Sequence, residues 1–155
     1  MPHYNASTRL ALMGARIGIR VDRATATLPQ TAASAIFTIA GGRVAMTAII
    51  GEVTTQLGAV GNVSLEVNPT VGTTTAICAV VASATEEVNA QFSIDGTVGT
   101  AMLSGLGGAV AMQSKSVVLS EGTLDLRASA SSTGYIKWSI FYVPIDDGAY
   151  ITAAA

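Results

Sequence analysis

The sequence predicts an all-β protein: a single β-sandwich or jelly-roll-like domain carrying an extended N-terminal arm. Three observations lead there. Short apolar stretches recur at near-regular spacing, clusters of turn-forming residues separate them, and no stretch sustains a convincing helical period. At 155 residues the chain suits one domain and can bury a core without disulfides or metals.

Residues 1–23 read as the arm, and residues 24–155 as the sandwich with a short C-terminal tail. The arm segment "STRLALMGARIGIRVDRAT" holds Arg9, Arg16, Arg20 and Arg23, half of the chain's 8 basic residues. Leu10, Met13 and Ile17 fall at the spacing of a short amphipathic helix, although Gly14 and Gly18 weaken it. Ile17, Ile19 and Val21 then alternate with Gly18 and Arg20, as an edge strand does. Arginines interleaved with apolar residues suit an arm that docks on a partner, and a frayed terminus is the competing reading. The partner-binding candidates are therefore Arg9, Leu10, Met13, Arg16, Ile17, Arg20 and Arg23.

Beyond the arm, strands are expected over 24–28, 35–40, 43–52, 62–68, 74–82, 87–94, 116–119, 123–130 and 135–144. Their separators include "PQT", "GG", "GAVG", "SEGT", "SSTG" and "DDG". The pair Gly41-Gly42 suits a two-residue turn with positive φ at both positions, so 34–53 is expected to be a β-hairpin. After it, Val44, Met46, Ala48 and Ile50 form the alternating face. In "YIKWSIFYVP", Ile136, Trp138, Ile140 and Tyr142 share one face, with Trp138 expected in the core. Phe141 and Val143 make the opposite face apolar towards the strand's end. That pattern implies cover on both sides, by the core and by a loop or a neighbouring subunit. Residues 97–113, rich in glycine, are expected to be a long loop with room for a short strand. The tail "DDGAYITAAA" is expected to turn and extend across a neighbour.

Composition narrows the function classes. Charged residues make up 12% of the chain, where about 25% is usual in soluble domains. Ser, Thr, Ala and Gly stand where a free monomer carries Lys and Glu, which suits surface buried against other copies or another protein. A neutral Ser/Thr-rich monomer is the alternative. With a net charge of -2, nothing points to a nucleic-acid surface or to polybasic membrane binding. The uncharged runs 67–85 and 96–114 are rich in Thr or Gly and lack the content of a lipid-facing helix.

Catalytic chemistry finds little to use. His3 is the single histidine, and Cys78 sits in an apolar run as a small buried hydrophobe would. One His and one Cys cannot supply a structural zinc site. Glu86/Glu87 and Asp146/Asp147 are adjacent pairs, which a strand directs to opposite faces and a turn directs to solvent. The strand-borne acids Glu52, Glu66 and Asp125 have no fixed spatial relation in the sequence. Gly41-Gly42 is followed by Arg43 and a β-branched run, unlike a phosphate loop that opens a helix. No catalytic residue, metal ligand or cofactor is assigned, and an enzyme is not expected.

Three segments carry a resemblance: "TLPQTAASAIFTIAGGRVAMTAIIGEVTT", "NPTVGTTTAICAVV" and "GYIKWSIFYVPIDDGAYITAA". Between 27 and 155 the chain resembles small structural proteins of tailed bacteriophages, most of all capsid decoration, or cement, proteins. The resemblance implies a small sandwich seated on the outside of an assembled shell, often as a trimer. It also implies two partners, the major capsid protein and further copies of this chain. Its motifs are structural and bring no site residues with them. Other virion roles share the same features: a head-fibre base, or a neck, tail-tip or tail-tube protein. A carbohydrate-binding sandwich is a further alternative.

Overall fold

The computed structural model describes residues 17–29, 32–58, 61–82 and 86–155. Among them, alternating apolar residues build β1 (Ile19–Thr27), β2 (Ala33–Ala40), β3 (Val44–Thr55), β4 (Asn62–Pro69), β5 (Thr75–Ala76) and β6 (Val81–Ala82). The chain continues through β7 (Gln91–Ser93), β8 (Leu103–Gly105), β9 (Val117–Leu119), β10 (Gly122–Ala128), β11 (Tyr135–Pro144) and β12 (Tyr150–Ala153). The strands pair antiparallel into two six-stranded sheets. The first runs β1-β11-β3-β7-β8 with β9 also on β3; the second runs β12-β2-β10-β4-β5 with β6 also on β4. This is a β-sandwich, as the turn spacing predicts.

The apolar faces of the two sheets meet in one core. Phe37, Ile39, Leu65 and Leu124 come from the second sheet, and Met46, Ile49, Phe92, Trp138 and Ile140 from the first. Trp138 is in the core as expected, stacked on Phe92 with ring centroids 6.4 Å apart. Gly51 lies opposite it on β3. A Cβ there would come within 2.7 Å of the indole, so the glycine makes room for the ring.

The Gly41-Gly42 turn departs from expectation. Both residues have positive φ, +76° and +129°. However, β2 pairs with β10 and β12, whereas β3 pairs with β11, β7 and β9. The turn is therefore an arch from one sheet to the other and does not close a hairpin. Turn chemistry specifies a reversal of the chain, but side-chain packing decides which sheet receives the next strand. The β11–β12 connection crosses between the sheets at the same end. Arg43 binds the two crossings together: its backbone N–H and Nε donate to Asp146 Oδ2 at 2.8 and 2.9 Å, and Nη2 to Oδ1 at 2.8 Å. This pairing holds the Asp146 carboxyl down at a pKa of about 2.

The remaining departures have local causes. On β3 the register slips between Tyr142/Met46 and Phe141/Ala48, leaving Thr47 as the extra residue. The alternation inverts there, so Ile49 rather than Ile50 enters the core. The expected strand 74–82 is broken into β5 and β6, because Ile77 and Cys78 turn inwards between them. Asn89, at φ +73°, confines the strand expected over 87–94 to β7. Residues 97–113 are a loop holding β8 and a 3-10 turn at Leu106–Gly108. The tail does not leave the domain: β12 pairs with β2 of its own chain. At the other terminus, β1 starts at Ile19, so the arm boundary drawn after Arg23 falls inside a strand paired with β11.

Candidate functional site

Stacking two open sheets leaves two open sides. On one, β8 and β5/β6 are the edges, and the chain closes the gap with its own backbone. Ala79 bridges to Ala101: its N–H donates to Thr100 O at 2.9 Å, and its carbonyl accepts from Met102 N–H at 3.0 Å. Cys78 fills the space beneath and accepts from Leu65 N–H at 3.3 Å, and burial pushes its thiol pKa up. On the other side β1 and β12 are the edges, and among the described residues no main-chain hydrogen bond joins them.

Arg23 occupies that unjoined side. It pairs in register with Trp138, which faces the core, so its side chain also faces inwards. A one-residue bulge follows immediately, between Arg23 and Ala26. The Arg23 Nε is buried with no hydrogen-bond partner, and no ion pair reaches the guanidinium among the described residues. Burial pulls its pKa below the ordinary arginine value. Three cavities adjoin the residue. A water-sized space of about 10 Å³ lies against Leu126, Ile36 and Trp138. A cleft of about 290 Å³ opens towards Asp22 and Ser139, and one of about 460 Å³ towards Ala153, Ala154 and Ala155.

The outer face of the same edge is self-paired. Arg20 Nε donates to Asp22 Oδ1 at 2.8 Å, and Ser139 Oγ donates to the same oxygen at 2.6 Å. The Ser139 bond is the main cause holding the Asp22 carboxyl below its usual pKa, with Arg20 contributing. The Arg20 guanidinium also lies 6.0 Å from the centroid of the Phe141 ring, which is buried beneath it. Lys137 is matched by Glu52 at 2.8 Å. Thus, among the described residues, Arg23 is the cation of this edge without a carboxylate partner.

Of the arm candidates, Arg20 and Arg23 stand on β1, and Ile17 lies just ahead of it, where its carbonyl accepts from Thr47 Oγ1. Arg9, Leu10, Met13 and Arg16 lie outside the described residues. The sequence reading missed Asp22, Ser139, which the β1–β11 register sets opposite Asp22, and Ala153–Ala155 at the C-terminal end, which line a cleft with Arg23. One signal was available. Val21 and Arg23 are two apart on an alternating strand, so an inward Val21 implies an inward arginine.

The acids settle elsewhere. Glu66 and Asp125 face each other across β4 and β10, and Arg127 holds Glu66 with two bonds of 2.7 and 3.0 Å. Glu52 belongs to the other sheet. Among the described residues, no three of His, Cys, Asp and Glu are grouped to hold a metal ion, and no helix is long and apolar enough to cross a membrane. Comparison with protein-family models, with curated proteins and with solved structures finds no match to this chain.

Proposed function

We propose that the protein is a structural virion component that binds the outside of an assembled tailed-phage capsid and strengthens contacts between major capsid protein subunits, working with further copies of itself as a trimer. The observation that carries this reading is the unjoined β1/β12 side, where an inward arginine without a carboxylate sits on a surface of Ala, Thr and Ser. Exposed Val71, Val98, Leu106 and Val118 add apolar area of the kind that assembly covers. The low charge content and the resemblance to phage structural proteins support the same reading. A cement role needs no catalytic group. A protein that binds the assembled shell and not its separated subunits stabilises the shell by mass action, and several weak contacts from one oligomer add through effective concentration. The sugar-binding alternative loses its natural platform, since Trp138 is stacked inside the core.

Immunogold labelling of intact virions tests the proposal. Label over the whole shell is the expected result. A single focus per particle moves the protein to the neck or tail, and unlabelled particles overturn the virion reading. Removing residues 1–16 keeps all of β1, and is expected to leave a folded sandwich whose binding to capsids falls at least about tenfold.

A further inference from the structure

We infer that Arg23 is the recognition residue of a carboxylate-binding cleft between β1 and β12, and that its ligand is an aspartate or glutamate side chain on an extended segment of a partner protein. The inference rests on the assembly reading only for the partner's identity. The cleft's chemistry stands on its own residues.

Charge selects the ligand. Along this edge Arg20 is matched by Asp22 and Lys137 by Glu52, so among the described side chains here the Arg23 guanidinium is the charge without an ion-pair partner. One guanidinium balances one carboxylate. A phosphate dianion carries a second negative charge that one guanidinium leaves unbalanced, so it meets more repulsion from Asp22, which lines the same two clefts, than a single carboxylate does. A guanidinium also presents a planar fork of donors that a carboxylate matches with two bonds. Shape selects an extended chain. The larger cleft is lined by Ala24, Ala26, Ala153, Ala154 and Ala155 beside Asp22, Arg23 and Thr25, so most of its described wall is small side chains that let a backbone come close. The long edge of β1 facing away from β11 has no partner strand among the described residues and offers main-chain groups to a passing segment.

The alternative role for an inward charge on an edge strand is protection against sheet-to-sheet pairing. The two roles differ in what an added ligand does. The probe is a blocked tripeptide, acetyl-Ala-Glu-Ala-amide, titrated into the full chain and followed by nuclear magnetic resonance at the Arg23 Nε–H and the Ala153–Ala155 amides. Saturable shifts at both places, with dissociation in the range of about 1 mM, are expected. The Gln version of the peptide should produce none. Arg23→Gln should weaken binding at least about tenfold, and Arg23→Lys should rescue it only in part, because the fork is lost. Thermal unfolding of Arg23→Gln should start no lower than that of the parent chain, since the variant removes a desolvated charge without a partner. Two results overturn the inference. One is a Glu peptide that gives no saturable shift. The other is an Arg23→Gln variant that binds the peptide unchanged, or that self-associates while the parent chain ignores the peptide. Neither depends on virion labelling, so this inference and the capsid proposal can fail separately.

Discussion

The two open sides of the sandwich solve the same problem in opposite ways. Where β5, β6 and β8 end the sheets, the chain gives up strand regularity at Ile77–Val80 and joins the layers through Ala79, with Ile77, Cys78 and Met102 buried behind the bridge. Where β1 and β12 end them, the strands run on unjoined and an arginine faces inwards with its Nε unmet. The first side joins its sheets through its own backbone, which contributes to stability, although Val80 and Leu106 stay exposed and the buried Glu86 keeps one carboxylate oxygen unmet beside β8. The second leaves the Arg23 Nε without a protein partner and the guanidinium without an ion pair among the described residues, beside clefts that open to solvent. The difference separates a side that closes the fold from a side that is open to binding.

Breaking the joined side should cost most. Met102→Ala deletes a fully buried side chain behind the bridge and is expected to destabilise the domain by about 2–5 kcal/mol, the range for large-to-small core changes. Urea unfolding would show a lower midpoint with little change in slope. A loss below about 1 kcal/mol would mean that this side does not hold the sheets together. Ala79→Pro acts on the bridge itself. It removes the N–H that reaches Thr100 O and leaves that carbonyl without its bond, a loss of about 1–3 kcal/mol by the same measurement.

How much of this was legible in the sequence follows from what alternation can say. The face of β11 with Ile136, Trp138, Ile140 and Tyr142 is set by side-chain period alone, and it was readable. The positive φ at Gly41 and Gly42 was readable too, because residue type limits the backbone. Whether the turn returns to the same sheet was not, since Val44 and Met46 serve a core equally well from either layer. The bulge at Thr47 was invisible for a related reason: an inserted residue shows only against its partner strand. Arg23 was picked out as a binding residue of an arm. Its place in a cleft needed the pairing with Trp138 and the return of the tail as β12. Both are long-range facts that no local pattern carries.

The arch end provides a smaller effect with a defined pH signature. The Asp146 pKa is depressed to about 2 from an ordinary 3.8, so the carboxylate favours the folded state. That contribution is complete above its unfolded value near 3.8 and is lost as pH falls from there towards 2. Melting temperatures of the parent chain and of Asp146→Asn should therefore differ at pH 6, approach each other below pH about 3.8 and coincide near pH about 2. The paired comparison removes the contributions of Asp22 and Asp95, whose values are also lowered and which both proteins share. A gap of constant size down to pH about 2 would show that the ionised Arg43–Asp146 pair is not its source, and no gap at pH 6 would show that the turn backbone holds the arch.

The smallest effect is expected on the open side, at the pair that Arg23 lacks. Arg20 and Asp22 are both more than half exposed, and exposed pairs of this kind contribute about 0–1 kcal/mol. Arg20→Ala should therefore shift the urea midpoint little, and 0.5 M salt should abolish most of that shift by screening, at a Debye length of roughly 4–5 Å. Its effect on ligand binding is the sharper reading. Releasing Asp22 from Arg20 leaves a carboxylate that lines the same clefts as Arg23 and is held only by Ser139. Arg20→Ala should thus weaken acidic-peptide binding while leaving stability nearly unchanged, and Arg20→Ala combined with Asp22→Asn should restore it. If the single variant binds the peptide as well as the parent chain does, the charge on this edge is set by Arg23 alone. In that case the Arg20–Asp22 pair serves only to cover Phe141.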